Sequence, residues 1–264
     1  MIVTLTSDFG DTDPFVGIVK GVILSINRQA QLVDLTHSIP KHDVLEAGLA
    51  LEAAIPYFPP SSVHLAVVDP GVGSARRGLV VSARRHYFVA PDNGLLTFLF
   101  NGADWEAVKL ENPAYRLLVV SSSFQGRDLF APAAAHLSLG VPIHQFGPAV
   151  TDPVRLAWPA AARKGDSVVG EVIHVDHFGN LITNIQRELL TGLGENLVVE
   201  VAGVAVEGIA SYFQDRPSGQ PGAIVGSIER LEIFVSEGSA AAHFKAGKGT
   251  RVRVRGSGFG VRGS

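Results

Sequence analysis

The chain has 264 residues, of which 46% are hydrophobic and 18% charged, and its formal net charge at pH 7 is −3. This composition is typical of a globular protein with one or two domains, and it excludes a disordered or fibrous chain and disfavours nucleic acid or an anionic membrane as a partner. The chain has no cysteine and no apolar run long enough to cross a bilayer, so we expect a cytoplasmic protein without disulfides.

The first half of the chain alternates between strand and helix patterns. Residues 2–7 predict a strand, and Pro14 suits the first turn of a helix for which Asp13 is the expected N-cap. A second strand and an apolar helix follow, and Asp43 is the expected N-cap of that helix. Later strand and helix patterns are VHLAVVDPGVG, GLVVSA, HYFVAPDNGLL and DLFAPAAAHLSLG. This alternation predicts an α/β domain over residues 1–152, with a mostly parallel sheet and flanking helices.

The second half of the chain has a different pattern. Residues 153–166 are rich in proline and alanine and predict a linker. Residues 167–264 contain short alternating segments broken by glycine, which predict a smaller all-β barrel domain. The last nine residues, GSGFGVRGS, are similar to a glycine-rich phosphate loop, but no helix follows them and we expect a frayed end.

Three aspartates follow strand patterns in the first half: Asp8, Asp69 and Asp92. Ligands of open α/β sheets bind beyond the carboxyl ends of the strands, so these carboxylates are candidate site residues. In VVDPGVGSARR the glycines permit a tight turn that brings Arg76 or Arg77 back to Asp69, where the ion pair could hold a water molecule. The alternatives are turn or cap roles for the aspartates and an ordinary surface ion pair.

Other motifs lack the context that their chemistry needs. The DFG at residues 8–10 has no upstream glycine-rich loop, which argues against a kinase. The stretches THSIPKHD and HVDHFGN contain histidine and aspartate but lack metal-site spacing, so we expect no metal. A serine hydrolase is disfavoured because no G-x-S-x-G motif occurs.

Seven segments, taken in order, carry a family resemblance. They are SDFGDTDPFVGIVKG, VDLTHSIPKHDVLEAG, VVDPGVGSARRG, FVAPDNGLLT, SFQGRDLFAPAAAHL, HVDHFGNLITNI and LEIFVSEGSAA. In order and spacing they resemble the S-adenosylmethionine hydroxide adenosyltransferases, relatives of the S-adenosylmethionine-dependent chlorinase and fluorinase. The resemblance implies an N-terminal α/β domain, a C-terminal β-barrel, and a homotrimer with active sites between subunits. It also implies hydrolysis of S-adenosylmethionine to adenosine and methionine, by attack of water on ribose C5′ and without a cofactor.

The resemblance further implies roles for residues at matching positions. Asp8 matches the acceptor of the ribose hydroxyls, and Asp13 and Asp176 match contacts to the methionine ammonium. Phe178 and Asn180 match contacts to the adenine. The other implied contacts are Ser227 with the methionine carboxylate, Phe124 and Gly126 beside C5′, and His42 in the pocket lining.

The implied catalytic group departs from the family pattern at one position. Hydrolytic relatives carry an aspartate, an arginine and a histidine around the attacking water; Asp69 and Arg76 match the first two, and Gln125 stands where the histidine is expected. Glutamine orients a water molecule but does not take its proton. Either Asp69 acts as the base, or hydrolysis is slow, or the nucleophile differs. Asp69 favours water, because halogenating relatives lack this aspartate and a carboxylate repels a halide.

Three functional hypotheses therefore follow from the sequence. The leading one is an adenosine-forming S-adenosylmethionine hydrolase. The alternatives are a chlorinase-like halogenase that uses S-adenosylmethionine, and a catalytically weak protein that binds adenosine or S-adenosylmethionine. The products formed from S-adenosylmethionine distinguish the three.

Overall fold

The computed structural model describes residues 1–102, 104–194 and 196–256. The chain divides into two compact units, Met1–Trp158 and Pro159–Ser264. Of the expected frayed end, all but the first residue lies outside the described residues. Within the described part of the chain, no helix combines the length and the apolar character that crossing a membrane requires.

The first unit is built on one six-stranded sheet in the order β2-β1-β3-β5-β4-β6. The strands are β1 (Ile2–Ser7), β2 (Gln31–Thr36), β3 (Val63–Val67), β4 (Gly78–Ala83), β5 (His86–Pro91) and β6 (Trp105–Lys109). Its α-helices are α1 (Phe15–Ile26), α2 (Val44–Ala54) and α3 (Ala131–Ser138). Neighbours from β2 to β5 are parallel, whereas β4 is antiparallel to both β5 and β6. The predicted α/β fold is confirmed, and its sheet is mixed because of β4.

Hydrophobic side chains cover both faces of this sheet. One core cluster joins Val19 and Ile23 of α1 and the alanines of α3 to β1 and β3. A second cluster joins Ala47 and Leu51 of α2 to the opposite face. Strand β3 is buried at all five positions, which is typical of a central strand covered on both faces. The core thus holds the ends of β1 and β3 in place.

The two predicted helix starts have different outcomes. Helix α2 begins as predicted, with the Asp43 side chain accepting a hydrogen bond from Glu46 N at 2.9 Å. The predicted N-cap role of Asp13 is wrong, because α1 begins at Phe15 and its N-cap is Pro14. Pro14 has ψ 6°, which lies outside the helical range, and the helix therefore starts one residue later than expected.

The second unit contains an eight-stranded antiparallel sheet in the order β11-β10-β14-β8-β9-β13-β12, with β7 paired to β8. Its strands are β7 (Ala162–Lys164), β8 (Ser167–Val175), β9 (Leu181–Gln186), β10 (Leu197–Val201), β11 (Val204–Glu207), β12 (Pro221–Val225), β13 (Arg230–Val235) and β14 (Arg251–Gly256). Two short helices are α4 (Arg187–Leu190) and α5 (Ala240–Phe244). A bridge from Ala210 to Ile224 nearly closes the sheet, so the predicted β-barrel is confirmed as a barrel-like sheet.

Residues 153–166, the predicted linker, contain defined structure on both sides of the boundary between the units. Val154 N donates a hydrogen bond to Asp92 Oδ1 at 2.8 Å, and the Trp158 ring packs 5.8 Å from the Phe98 ring. On the other side, β7 pairs with β8. An extended segment held by single hydrogen bonds has no hydrophobic period, which is why its contacts are not visible in the sequence.

Candidate active site

A cavity of about 180 Å³ lies at the carboxyl ends of β1 and β3. It is lined by Asp8, Phe9, His42, Val67, Asp69, Val72, Ser123, Phe124, Gln125 and Gly126. The sequence-predicted site residues among them are Asp8, His42, Asp69, Phe124, Gln125 and Gly126. The first unit therefore brings six predicted residues, from four separate stretches of chain, to one edge of its sheet.

Asp69 and Arg76 form an ion pair at this cavity. Arg76 Nε lies 3.0 Å from Asp69 Oδ1 and 2.9 Å from Oδ2, and Arg76 Nη2 also donates to Oδ2. The two side chains are only 5% and 10% exposed, so the pair is well shielded from solvent. A guanidinium that contacts both carboxylate oxygens fixes the orientation of the carboxylate. Asp69 is thus held in one position at the cavity.

Gln125 belongs to the same network. Arg76 Nη2 donates a hydrogen bond to Gln125 Oε1 at 2.5 Å. Because arginine has only donors, this contact requires the amide oxygen of Gln125 to face Arg76, and the amide NH₂ is the end left for another partner. An NH₂ group donates to the lone pair of a water molecule or to an anion, but it does not accept a proton. Of these three side chains, only the Asp69 carboxylate is able to accept a proton.

The next arginine in the sequence has a different partner. Arg77 Nε donates to Asp92 Oδ2 at 2.7 Å, and the other oxygen of Asp92 accepts the hydrogen bond from Val154 N. Asp92 is buried, but it does not contribute to the lining of the cavity. Arg76, and not Arg77, forms the pair with Asp69, whereas Asp92 connects the end of β5 to the chain near residue 154.

Asp8 lies on the loop after β1 and is held by the loop that precedes α2. Its Oδ2 accepts a hydrogen bond from the backbone N of His42 at 2.9 Å. His42 has φ 67°, the left-handed conformation that favours glycine, so this contact depends on a strained backbone. Below Asp8, Ser7 Oγ lies 2.7 Å from His37 Nδ1, and His37 Nε2 lies 3.0 Å from Asp34 Oδ1. These hydrogen bonds connect the end of β1 to β2 and the loop that follows it.

The rings of Phe9, Phe15 and Phe124 pack together beside Gln125, and Gly126 lies against them. The Phe124 ring lies 5.9 Å from the Phe9 ring and 5.2 Å from the Phe15 ring, edge to face in both cases. A Cβ at Gly126 would lie 3.2 Å from Phe9 Cζ, so glycine permits this close approach. Gly126 also begins the π-helical turn Gly126–Phe130, and turns of this kind are frequent at functional sites.

Asp128 anchors the loop that carries Gln125. Its side chain is 1% exposed and accepts hydrogen bonds from Arg127 Nε at 2.6 Å and from Ser121 N at 2.8 Å. Burial acts to raise the pKa of Asp128, but the hydrogen bonds from Arg127 and Ser121 outweigh it, and the pKa is lowered. The charged carboxylate therefore stabilises the loop, and both of its oxygens accept hydrogen bonds from the protein.

A second cavity, of about 610 Å³, lies in the second unit. It is lined by Asp176, Phe178, Asn180, Phe213, Val235, Glu237 and Gly238. The Asp176 carboxylate accepts hydrogen bonds from Phe178 N at 2.9 Å, Asn180 N at 2.8 Å and Asn180 Nδ2 at 2.8 Å, which fold the loop around it. Phe178 is 76% exposed, so its ring is available for stacking on a planar ligand.

Two predicted site residues lie away from these cavities. Asp13 is exposed before α1, and Ser227 is exposed on the turn between β12 and β13. That turn is at the opposite end of the β12–β13 hairpin from Glu237. The three other predicted residues of the second unit, Asp176, Phe178 and Asn180, line a cavity of their own.

Sequence reasoning missed several lining residues. Phe9 and Ser123 are chain neighbours of the predicted residues Asp8 and Phe124, so adjacency is the signal that could have found them. Phe213 lies on a loop far along the chain from Asp176, and no periodicity or motif marks it. Glu237 lies within the segment LEIFVSEGSAA, but that segment alone did not point to Glu237 as a lining residue. The barrel-like fold alone brings them to the same cavity.

Comparison with known proteins identifies the family. The model of the SAM hydroxide adenosyltransferase N-terminal domain matches residues 3–147, and that of the C-terminal domain matches residues 170–253. The chain belongs to the SAM hydroxide adenosyltransferase family. The predicted family is confirmed, and with it the prediction of an enzyme.

Individual known proteins are similar to most of the chain. It is 40% identical over 256 residues to the (R)-S-adenosyl-L-methionine hydrolase of Thermus thermophilus, covering 94% of this chain and 97% of that protein. It is 30% identical to the fluorinase of an Actinoplanes species, covering 73% of this chain and 74% of that protein. Among solved structures, it is similar to an uncharacterized conserved protein from Thermotoga maritima, with a TM-score of 0.90, 34% identity and coverage of 97% of this chain and 100% of that one.

Proposed function

We propose that this chain hydrolyses S-adenosylmethionine to adenosine and L-methionine. The water oxygen forms a bond to ribose C5′ while the bond from C5′ to sulfur breaks, and the electron pair of that bond stays on sulfur as the neutral thioether of methionine. The observation that carries the proposal is the partly buried network of Asp69, Arg76 and Gln125 at the first cavity. It supplies one proton acceptor and one donor to a water molecule.

In this mechanism Asp69 accepts a hydrogen bond from the attacking water and takes its proton. Gln125 donates its amide N–H to the water oxygen and orients a lone pair toward C5′. Arg76 holds both side chains in place and does not itself meet the water. Because the leaving group departs as a neutral thioether, the protein needs to supply in-line position and exclusion of bulk water rather than a metal or a covalent intermediate.

The same proposal assigns the substrate contacts to both units. Asp8 accepts hydrogen bonds from the ribose hydroxyls, and His42, Phe124 and Gly126 line the space beside C5′. In the second unit, Phe178 stacks on the adenine and Asn180 hydrogen-bonds to it. Ser227 lies outside the second cavity, and its assignment to the methionine carboxylate is supported by the family resemblance alone. Asp13 and Asp176 face the methionine ammonium, an assignment supported by their negative charge.

We also propose that the chain forms a homotrimer in which the first cavity of one subunit and the second cavity of the next make one site. The support is the family resemblance together with the division of the predicted contacts between two separate cavities. A composition without cysteine supports a cytoplasmic location.

Halide transfer is the second candidate, and two observations favour it. The free N–H groups of Gln125 suit an anion as well as a water molecule, and a fluorinase is among the relatives. The buried carboxylate of Asp69 opposes it, because the chain would hold two negative charges together.

Incubation of the pure protein with S-adenosylmethionine in high chloride tests both candidates. We expect adenosine and methionine in equal amounts by liquid chromatography and mass spectrometry. Accumulation of 5′-chloro-5′-deoxyadenosine would support the halogenase, and unchanged substrate would support the weak binding protein.

A further inference from the structure

Glu237 stands at the rim of the second cavity, on the turn after β13. Its Oε2 accepts a hydrogen bond from Ser218 Oγ at 2.7 Å, which holds the carboxylate in place. Glu237 has φ 56°, a left-handed conformation in which glycine is the favoured residue. A residue with a side chain keeps this conformation only where the surrounding contacts hold it.

The side chains that line this cavity offer mainly acceptors and aromatic surface. One N–H of Asn180 Nδ2 donates to Asp176, which leaves the Asn180 oxygen as an acceptor and the second N–H as the one further amide donor of this side chain. Asp176 and Glu237 add carboxylate oxygens, and Phe178 and Phe213 add exposed rings. A flat ligand that carries N–H donors matches this surface.

We propose that Glu237 selects a 6-aminopurine, its carboxylate accepting a hydrogen bond from the exocyclic amino group while Phe178 stacks on the ring. This inference rests on the proposed function, in which the adenosyl group of S-adenosylmethionine enters this cavity. A 6-oxopurine would bring its carbonyl oxygen against the carboxylate, so that two acceptors face each other without a proton between them. The cavity therefore rejects hypoxanthine and guanine and accepts adenine.

A purely structural role for Glu237 makes a different prediction. The bond from Ser218 connects the loop before β12 to the turn after β13, so its loss would lower stability. It would leave the relative affinity for two purines unchanged. Base preference is thus the quantity that separates recognition from support.

The test measures the affinity of the full chain for adenosine and for inosine by calorimetry. We expect the unmodified protein to prefer adenosine, and Glu237→Gln to reduce that preference about tenfold, as for the loss of a hydrogen bond to a charged group. The matched control is Glu188→Gln, which changes an exposed carboxylate on α4, at the opposite end of β9 from Asn180. The control should keep the full preference.

Glu237→Gly provides a second variant. Glycine adopts φ 56° without strain, which offsets the loss of the hydrogen bond from Ser218, so we expect this variant to fold while it lacks the carboxylate. We expect it to lose the preference for adenosine as well. If the protein hydrolyses S-adenosylmethionine but both variants keep the original preference, the role of Glu237 is overturned and the proposed function stands. If the unmodified protein shows no preference for adenosine over inosine, this inference is overturned, and if it also leaves S-adenosylmethionine unchanged, the proposed function fails with it.

Discussion

Two adjacent arginines of the first unit each form an ion pair with an aspartate, and the two pairs lie in different regions. Arg76 pairs with Asp69 after β3, and Arg77 pairs with Asp92 after β5. Both aspartate side chains are nearly buried, at 5% and 2% exposed, so burial does not distinguish them. The difference is what lies beside each pair: the first borders the cavity and Gln125, whereas the second is covered by residues 152–154. The same local chemistry becomes a site only where there is space for a ligand.

The largest expected effect is that of Asp69→Asn. This change keeps the shape of the side chain and removes the proton acceptor, so we expect turnover of S-adenosylmethionine to fall at least about a hundredfold, the usual contribution of a general base. Affinity for adenosine should stay within about tenfold. Activity comparable to that of the unmodified protein would show that the base is a different group.

Asp92→Asn is the matched change in the other pair. Here we expect a loss of about 2 kcal/mol in the free energy of unfolding, because Arg77 loses a buried charged partner. Turnover at a temperature where the variant is folded should remain within a few-fold of the original. Thermal melting and a rate measurement on one preparation check both expectations, and a catalytic defect larger than that of Asp69→Asn would reverse the comparison.

Gln125→His tests whether a second proton-accepting side chain at the cavity speeds hydrolysis. A histidine beside Arg76 and Asp69 adds a group that accepts a proton near neutral pH, and we expect hydrolysis to accelerate roughly tenfold. The measurement is the initial rate of adenosine formation between pH 6 and 9. A slower variant would indicate that glutamine serves a nucleophile other than water.

A smaller effect, on the pH dependence of stability, is expected from a buried histidine on β3. His64 lies on β3, is fully buried, and has Nδ1 2.8 Å from Thr4 Oγ1. Burial, with a smaller contribution from His86, lowers the pKa of His64 from 6.5 to about 3. The unfolded chain takes up this proton below pH 6.5 and the folded chain does so near pH 3, so stability decreases as the pH falls between these values.

The variant that tests this contribution replaces both hydrogen-bonding partners. Thr4→Val with His64→Leu removes the histidine and leaves no unpaired hydroxyl, so we expect a flatter dependence of the urea midpoint on pH from 7 to 4. An unchanged pH dependence in the double variant would place the acid sensitivity elsewhere.

The sequence predicted the layers of the fold better than the details of the site. Apolar periodicity predicted the α/β and β-barrel halves, because that signal arises from burial along many residues. It did not reveal the antiparallel β4, since the turn to β5 consists of Arg84 and Arg85, both with left-handed φ and neither a typical turn residue. The spacing of residues predicted that an arginine lies near Asp69 but did not decide between Arg76 and Arg77.

Contacts between distant loops account for the rest. Glu237 reaches the cavity of Asp176 only because β13 lies beside β9 in the barrel-like sheet, and a single sequence carries no record of that pairing. The strained backbone of His42 likewise depends on Asp8, which is 34 residues away. Such geometry follows from tertiary packing and not from local propensity.

The most direct test of the central claim is hydrolysis of S-adenosylmethionine in water enriched in ¹⁸O. If water held by Asp69 and Gln125 attacks C5′, the label appears in the 5′-hydroxyl of the adenosine formed, one atom per molecule, and the methionine carries none. Adenosine without the label, or a nucleoside that carries chloride at C5′ in its place, would contradict the account.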